Sequence, residues 1–204
     1  VKPRARYKAV GYGRKPSGLY AFKSPDGIHW TPLNNSKPVM TGHAFDTQNI
    51  AFWDGEQGCY VAYVRMKRLP RGRDRTCWVG RMTSRDFRTW TRAKAVFTAD
   101  KTDEAMPLPA GMTARQPVLD FYTPGGMKYP GAPSSYILLP TAYHHWDRER
   151  FPSTIDVILL TSRDGIHWYR PTDREPYLRL GLDGGKVKNV VDGDEVSPLH
   201  APPT

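Results

Sequence analysis

The chain has 204 residues, of which 39% are hydrophobic and 12% aromatic, and its formal net charge is +10. This length is enough for one domain with a packed core. No apolar run is long enough to cross a bilayer, so we expect neither a membrane-spanning protein nor a membrane partner. The densest basic run extends from Arg65 to Arg75, and its Pro and Gly favour a solvated loop over a helix that reads a nucleic-acid groove.

The predicted elements are nearly all β-strands. Short runs rich in β-branched and aromatic residues alternate with clusters of Gly, Pro and Asp, and no stretch keeps a 3.6-residue period. In chain order the predicted strands are Tyr7–Val10, Gly18–Lys23, Trp30–Leu33, Asn49–Trp53, Tyr60–Arg65, Trp78–Thr83, Trp90–Phe97, Leu119–Tyr129, Tyr136–Thr141, Ile155–Thr161 and Trp168–Arg170. The fold class is therefore predicted to be all-β.

A Ser-x-Asp-x-x-x-Trp motif occurs three times, each time after an apolar strand. The copies are Ser24/Asp26/Trp30, Ser84/Asp86/Trp90 and Ser162/Asp164/Trp168. We expect each Asp to accept backbone N–H groups ahead of it, Gly27 and Gly165 to supply positive φ, and each Trp to pack between neighbouring sheets. The motif is thus predicted to be structural, and it indicates a repeated supersecondary unit.

The repeat predicts a β-propeller of four-stranded antiparallel blades. The blades are assigned to residues 1–40, 41–100 and 115–172, and the start of a next blade to 175–204, all within one partial domain. About three blades are too few to close a ring, because propellers have at least four. We therefore expect this chain to be a fragment of a longer protein, or to close by self-association.

Two segments carry a resemblance to a known superfamily. Phe45 to Asp54 followed by Gly58 to Arg65 resembles the innermost hairpin of glycoside hydrolase family 32 and 43 propellers, and Asp120 to Pro140 resembles the next such hairpin. The chain as a whole is similar to bacterial proteins described as family 32 N-terminal-domain-like. The resemblance implies a five-bladed propeller and a carbohydrate substrate, without a metal or another cofactor. A secreted or periplasmic location is compatible with that substrate.

The resemblance also implies which acids do the chemistry. Glycoside hydrolysis needs one carboxylic acid to protonate the leaving oxygen and a second carboxylate as nucleophile or base. Asp46 matches the position of the family 32 transition-state stabiliser, although Phe45 and Thr47 replace the flanking Arg and Pro. Asp120 is at the equivalent start of the following blade. Glu104, in the loop before that blade, is a third catalytic candidate.

Five further residues near these strand starts and hairpins are candidates for contacting a sugar. Their side chains can stack on a sugar ring or hydrogen-bond to its hydroxyls, while ordinary packing is the alternative for each. They are His43, Gln48, Asn49, Tyr122 and Lys128.

Other constellations give no additional site. His144, His145 and Asp147 could suggest a metal, but adjacent histidines on a strand point to opposite faces. Cys59 and Cys77 are predicted near opposite ends of paired strands, so we expect no disulfide.

Two functions of different classes remain open. One is a glycoside hydrolase acting through Asp46 and Asp120, and the other is a glycan-binding propeller that does not cleave. Two features count against an intact active site in this chain: no Asn-Asp-Pro motif precedes Tyr7, and no carboxylate lies within Lys186 to Val191. Either the missing groups lie outside this chain, which keeps the hydrolase as the expected function, or the protein binds glycans without cleaving them. A polyanion-binding protein driven by charge is a third, weaker alternative, and nucleic acid is not an expected partner.

Overall fold

The structure, a computed structural model, describes residues 4–67, 77–107, 114–146, 154–179, 187–188 and 195–196. The described chain is nearly all β, as predicted, with one short helix, α1 (Lys101–Glu104). Its antiparallel sheets follow one another along the sequence. None of its helices has the length and apolar character that crossing a bilayer requires.

Three sheets contain most of the strands. Sheet A has the order β1 (Tyr7–Arg14), β2 (Ser17–Ser24), β3 (Thr31–Pro32). Sheet B has the order β4 (Ile50–Asp54), β5 (Cys59–Lys67), β6 (Cys77–Ser84), β7 (Lys94–Phe97). In sheet C, β9 (Tyr136–Trp146) lies between β8 (Ala114–Lys128) on one side and β10 (Thr154–Val157) and β11 (Leu160–Ser162) on the other. A two-residue pair, β12 (Val187–Lys188) with β13 (Glu195–Val196), follows.

The described residues do not form a closed ring of sheets. Sheets A, B and C fall within the segments 1–40, 41–100 and 114–172, so the sequential arrangement of the repeats is as expected. The five-bladed propeller and its blade boundaries stay predictions. Most of the segment 175–204, and most of the basic run after Lys67, lie outside the described residues.

The three motif turns share one hydrogen-bond pattern. In each copy the Ser hydroxyl donates to the Asp carboxylate, whose same oxygen accepts two backbone N–H groups ahead of it. Gly27 and Gly165 have φ values of +84° and +71°, as predicted. Phe87 occupies the same position in the second copy with a φ of +64°, so the turn forms there without Gly.

Strand β5 is the centre of the packed core because both of its faces are buried. Val61 and Tyr63 pack against residues of sheet C, while Ala62 and Val64 pack against residues of sheet A, as the alternation of side chains along a strand requires. Trp168 packs edge-on against Tyr63 between sheets B and C, at 5.5 Å between ring centroids. The prediction that motif tryptophans pack between sheets is confirmed for Trp168 and for Trp90, which packs against the core between sheets A and B, whereas Trp30 is exposed.

The strand registers divide sheets B and C into two ends. The first, here called the motif end, contains the β4–β5 and β8–β9 hairpins together with Ser84 and Ser162, because Tyr60 pairs with Ser84 and Tyr136 pairs with both Lys128 and Ser162. The second, here called the far end, is where β4, β6 and β8 begin. Asp46, which precedes β4, and Asp120 of β8 both belong to the far end, and their catalytic roles stay a prediction.

Candidate functional site

Arg65 connects the segment before β4 to the neighbouring sheet. Its guanidinium forms an ion pair with Asp46, and its Nε donates to the carbonyl of Ala44 at 2.9 Å. The same guanidinium lies over the ring of Tyr122 on β8, 4.9 Å from the ring centroid. The Arg65 side chain is buried, while the Asp46 side chain is 56% exposed and accessible to a ligand.

Asp120 is the buried acid of the far end. It is only 2% exposed, and each of its carboxylate oxygens has a partner. One oxygen accepts the backbone N–H of Cys77 at 2.8 Å, and the other lies 3.0 Å from Nε2 of His145. Asp120 therefore holds the His145 ring in place and is not itself open to a ligand.

An aromatic layer joins these two acids. Asp120 pairs in register with Tyr143, so Tyr122 and His145, each two residues further on, are placed on the same face. The ring centroids of Tyr122 and Tyr143 are 5.0 Å apart, and those of Tyr143 and His145 are 4.8 Å apart. The resulting group, here called the Arg65–Asp120 cluster, consists of Asp46, Arg65, Cys77, Asp120, Tyr122, Tyr143 and His145.

Two neutral groups in the cluster stay protonated. Burial, followed by the charges of Cys77 and Asp120, raises the pKa of the Tyr122 hydroxyl well above its usual range. Burial, followed by the Asp120 charge, also raises the pKa of the Cys77 thiol. Tyr122 therefore acts as a hydrogen-bond donor at neutral pH, and Cys77 is not a reactive thiolate.

Three of the predicted sugar-binding residues lie beside the cluster. They differ in whether their polar groups are free to bind a ligand. Asn49 is occupied, because its amide donates to the carbonyls of Phe45 and Thr47 and its oxygen accepts the Arg65 N–H at 3.0 Å. Gln48 is exposed. His43 packs edge-on against Phe45, and burial lowers its pKa although a hydrogen bond with the Lys67 backbone opposes this.

Two other predicted site residues are not brought to the far end. Lys128 lies at the motif end, where its Nζ is 3.1 Å from Asp54 and 3.0 Å from Glu56. The eight residues from Asp120 to Lys128 correspond to roughly 26 Å along β8. Glu104 ends α1 with an exposed side chain, and no contact among the described residues joins it to Asp46 or Asp120. Strand direction carries Lys128 away from Asp46 and Asp120, and a role in substrate binding or catalysis for Lys128 and Glu104 stays a prediction.

The described residues contain no group of three or more His, Cys, Asp or Glu side chains that could hold a metal ion. His144 contacts Asp156 at 3.1 Å and His145 contacts Asp120, so the adjacent histidines have different partners, as predicted. Asp147 lies outside the described residues. Cys59 lies at the motif end and Cys77 at the far end, and both are free thiols.

Four members of the cluster are absent from the sequence-based predictions of site residues. They are Arg65, Cys77, Tyr143 and His145. Arg65 was assigned to the basic run, and His145 was considered only as a metal ligand. The sequence pattern that could have indicated Tyr143 and His145 is their two-residue spacing. Asp120 and Tyr122 on the paired strand have the same spacing, which places the two residues of each pair on one face of the sheet.

The cluster has the groups that recognise a hydroxyl-rich ligand. Asp46 is exposed and accepts hydrogen bonds, and the partly exposed Tyr122 can donate one, while the buried Arg65 and Tyr143 hold these two groups in place. His145 is in addition of the residue type that transfers protons in active sites, and its 3.0 Å contact with the Asp120 carboxylate orients the ring.

Structural comparison finds proteins that process glycans. The chain is similar to an N-acetylgalactosamine deacetylase from F. plautii solved with blood group B trisaccharide (TM-score 0.52, 13% identity, 88% of this chain and 54% of that one). It is also similar to a glycoside hydrolase (TM-score 0.51, 17% identity, 80% of this chain and 47% of that one). A glycosyl hydrolase from Bacteroides ovatus matches with a TM-score of 0.41, 19% identity, and coverage of 61% of this chain and 30% of that one.

The first two matches show a shared fold at low sequence identity. The chain spans about half the length of each of those two structures and less than a third of the Bacteroides ovatus protein. No protein-family model and no curated protein sequence matches the chain.

Proposed function

We propose that this chain is part of a glycan-acting protein whose carbohydrate site is the Arg65–Asp120 cluster, and that the protein hydrolyses glycosidic bonds there. The observation that carries the proposal is the contact chain from Asp46 through Arg65 and Tyr122 to the strand that bears Asp120. It unites in one cluster the two acids that sequence similarity singles out, although they come from different sheets.

Each acid receives a distinct role in this proposal. Asp46 is exposed and contacts the sugar, either through its hydroxyls or at the developing positive charge of the anomeric centre. Asp120 is buried and acts as a positioning residue, which orients His145 for proton transfer to the glycosidic oxygen or from water. Tyr122 hydrogen-bonds to the sugar, while the buried Arg65 holds Asp46 and Tyr122 in place.

The named activities of the two solved structures with TM-scores above 0.5 support a glycan as substrate. One is a glycoside hydrolase and the other removes an acetyl group from an aminosugar. Because a fold hosts many activities, this support is an analogy, and the reaction is inferred from the cluster. In keeping with that analogy, we also propose that sheets A, B and C are blades of a propeller. Further blades of a longer chain, or self-association, would complete it.

A specific observation favours a second candidate, a glycan-binding protein that does not cleave. Glycoside hydrolysis uses a pair of carboxyl groups on either side of the scissile bond. In the described part of the cluster Asp46 is the one exposed carboxylate, since both oxygens of Asp120 are engaged. A binding protein needs no second acid.

The test is release of new reducing ends from a panel of poly- and oligosaccharides. We expect the wild-type protein to cleave at least one of them and the Asp46→Asn variant to lose at least about 100-fold of that rate, with its melting temperature nearly unchanged because Asp46 is exposed. Glu104→Gln is the matched control, because it makes the same carboxylate-to-amide change outside the cluster.

Wild-type turnover in Asp46→Asn would contradict the assigned role. Binding of a glycan that is weakened by Asp46→Asn, without cleavage by the wild type, would instead establish the non-cleaving candidate.

A further inference from the structure

A concave surface lies at the motif end of sheet C. It is an open depression of about 570 Å³. Among the residues that line it, the ones with binding groups are Tyr129, Ser135, Thr161, Arg163 and Tyr169. None of them belongs to the Arg65–Asp120 cluster, and the seven residues from Tyr136 to Tyr143 separate the two places by roughly 23 Å along β9.

The side chains of this depression suit an acidic sugar. Tyr129 and Tyr169 are 52% and 67% exposed, so their rings are accessible to a sugar. Arg163 is the one charged residue among the described lining residues, and its guanidinium donates to the Ser135 hydroxyl at 3.1 Å. This contact holds the guanidinium at the rim and leaves donors free for a carboxylate.

The walls of the depression are fixed by the neighbouring sheet. Glu56 of the β4–β5 hairpin accepts the Ser134 N–H at 3.0 Å and the Ser134 hydroxyl at 3.2 Å. The hydroxyl of Tyr136 donates to the buried Asp54 carboxylate at 2.6 Å. The loop that carries Tyr129 and Ser135 is therefore held in shape before any ligand arrives, which lowers the entropy lost on binding.

Sheet B contains a repeat-related depression that has Trp90 in its lining but no counterpart of the two tyrosines. The backbone N–H of Thr91 donates to the Thr83 carbonyl, and the backbone N–H of Tyr169 donates to the Thr161 carbonyl. The two motifs therefore correspond position by position. Arg85 corresponds to Arg163, but Thr91 replaces Tyr169, and the Asp86 carboxylate lines the cavity. Arg85 in sheet B can therefore serve as the matched control for Arg163 in sheet C.

We propose that the depression at the motif end of sheet C is a second carbohydrate site, which binds a uronic-acid residue of an oligosaccharide. The sugar ring stacks on Tyr169 and Tyr129, and its carboxylate pairs with Arg163. The site anchors an acidic glycan away from the Arg65–Asp120 cluster, and it does not depend on whether that cluster cleaves. The net charge of +10 attracts such a ligand.

The test is isothermal titration of the 204-residue chain with tetragalacturonic acid, with its fully methyl-esterified form as the neutral probe. We expect the acid to bind and the ester to bind at least about tenfold more weakly. Arg163→Ala and Tyr169→Ala should each weaken binding of the acid at least about tenfold. The matched variant Arg85→Ala in sheet B should leave it unchanged.

No binding of the acid by the wild type at millimolar concentration, or wild-type affinity in both Arg163→Ala and Tyr169→Ala, would overturn the proposal. Arg163→Gln serves if Arg163→Ala unfolds, as judged by its thermal transition. Loss of binding in Arg85→Ala, with Arg163→Ala unaffected, would move the site elsewhere and also overturn it. Failure of the hydrolysis assay does not bear on any of these outcomes.

Discussion

At the scale of single residues, burial separates two acids that look alike in the sequence. Asp46 and Asp120 are both predicted from their positions at the starts of inner strands, and both are found at the far end. Asp46 is exposed, whereas Asp120 is closed off by the Cys77 N–H and His145. The sequence could not predict this difference, because it depends on residues from two other strands.

Because Asp120 is buried and Asp46 is exposed, we expect truncation of the two acids to lower stability by different amounts. Asp120→Ala leaves the Cys77 N–H without its buried acceptor, so we expect a loss of about 2 kcal/mol in the free energy of unfolding. Asp46→Ala removes a largely exposed carboxylate, and the buried Arg65 guanidinium that it pairs with keeps its bond to the Ala44 carbonyl, so we expect a smaller loss of about 1 kcal/mol. Urea unfolding of both variants measures this, and equal losses would show that Asp120 is not the buried acceptor described.

At the scale of elements, the motif turn was the part most accurately predicted from the sequence. Its Ser, Asp and Gly residues act within seven positions, so local chemistry determines the turn. The second copy shows where local reasoning ends. Phe87 has positive φ but is 1% exposed, and its ring packs edge-on at 4.9 Å from Tyr60 and 5.4 Å from Trp90. Tertiary packing holds it there against its backbone preference.

Packing is therefore expected to outweigh backbone strain at this position. Phe87→Gly relieves a strain of roughly 1 kcal/mol but removes buried aromatic contacts that contribute roughly 3–4 kcal/mol, so we expect a net loss of about 2 kcal/mol or more. Thermal and urea unfolding measure this difference. A stabilised Phe87→Gly variant would show that strain dominates.

In the third copy of the motif, a methyl group added at Gly165 is expected to lower the free energy of unfolding. At Gly165 a Cβ would lie 2.7 Å from the Tyr63 hydroxyl, which donates to the Gly165 carbonyl. We expect Gly165→Ala to lose about 2 kcal/mol or more of unfolding free energy, from positive φ and from the broken contact together. Gly58→Ala is the matched control, since Gly58 has a φ of +62° and open space around it, and should lose only about 1 kcal/mol. Equal losses in the two variants would contradict the role given to the Tyr63 contact.

At the scale of the whole molecule, ionic contacts between sheets connect residues far apart in the chain. Lys128 and Tyr136 of sheet C bind the buried Asp54 of sheet B. Asp103 of α1, which is also buried, forms ion pairs with Arg170 and Arg174. Lys128 was predicted to bind substrate because its position in the hairpin is visible in the sequence, whereas its partner on another sheet is not.

The contact at Asp54 predicts a pH-dependent contribution to stability. Burial opposes its ionisation, but hydrogen bonds from Tyr136 and Lys128 outweigh burial and lower its pKa below the usual 3.8. The contribution is therefore complete above about pH 4 and is lost as the pH falls through the lowered pKa. We expect Asp54→Asn to be less stable than wild type by about 2 kcal/mol at pH 7 and by clearly less at pH 2.5.

Urea unfolding at the two pH values measures this gap in free energy. Asp173→Asn, a change at an exposed carboxylate, is the control and should show little difference from wild type at pH 7. A gap for Asp54→Asn that is the same at both pH values would contradict the ionised state assigned to Asp54.

The location of the carbohydrate site is tested most directly by NMR titration of the isotope-labelled chain with neutral tetrasaccharides of glucose, xylose, mannose and galactose. We predict that at least one of them shifts the signals of Arg65, Tyr122 and His145 together and saturably, and that Asp46→Asn weakens this response. Saturable shifts elsewhere that leave those three residues unchanged, or no saturable shift with any tetrasaccharide, would contradict a carbohydrate site at the Arg65–Asp120 cluster.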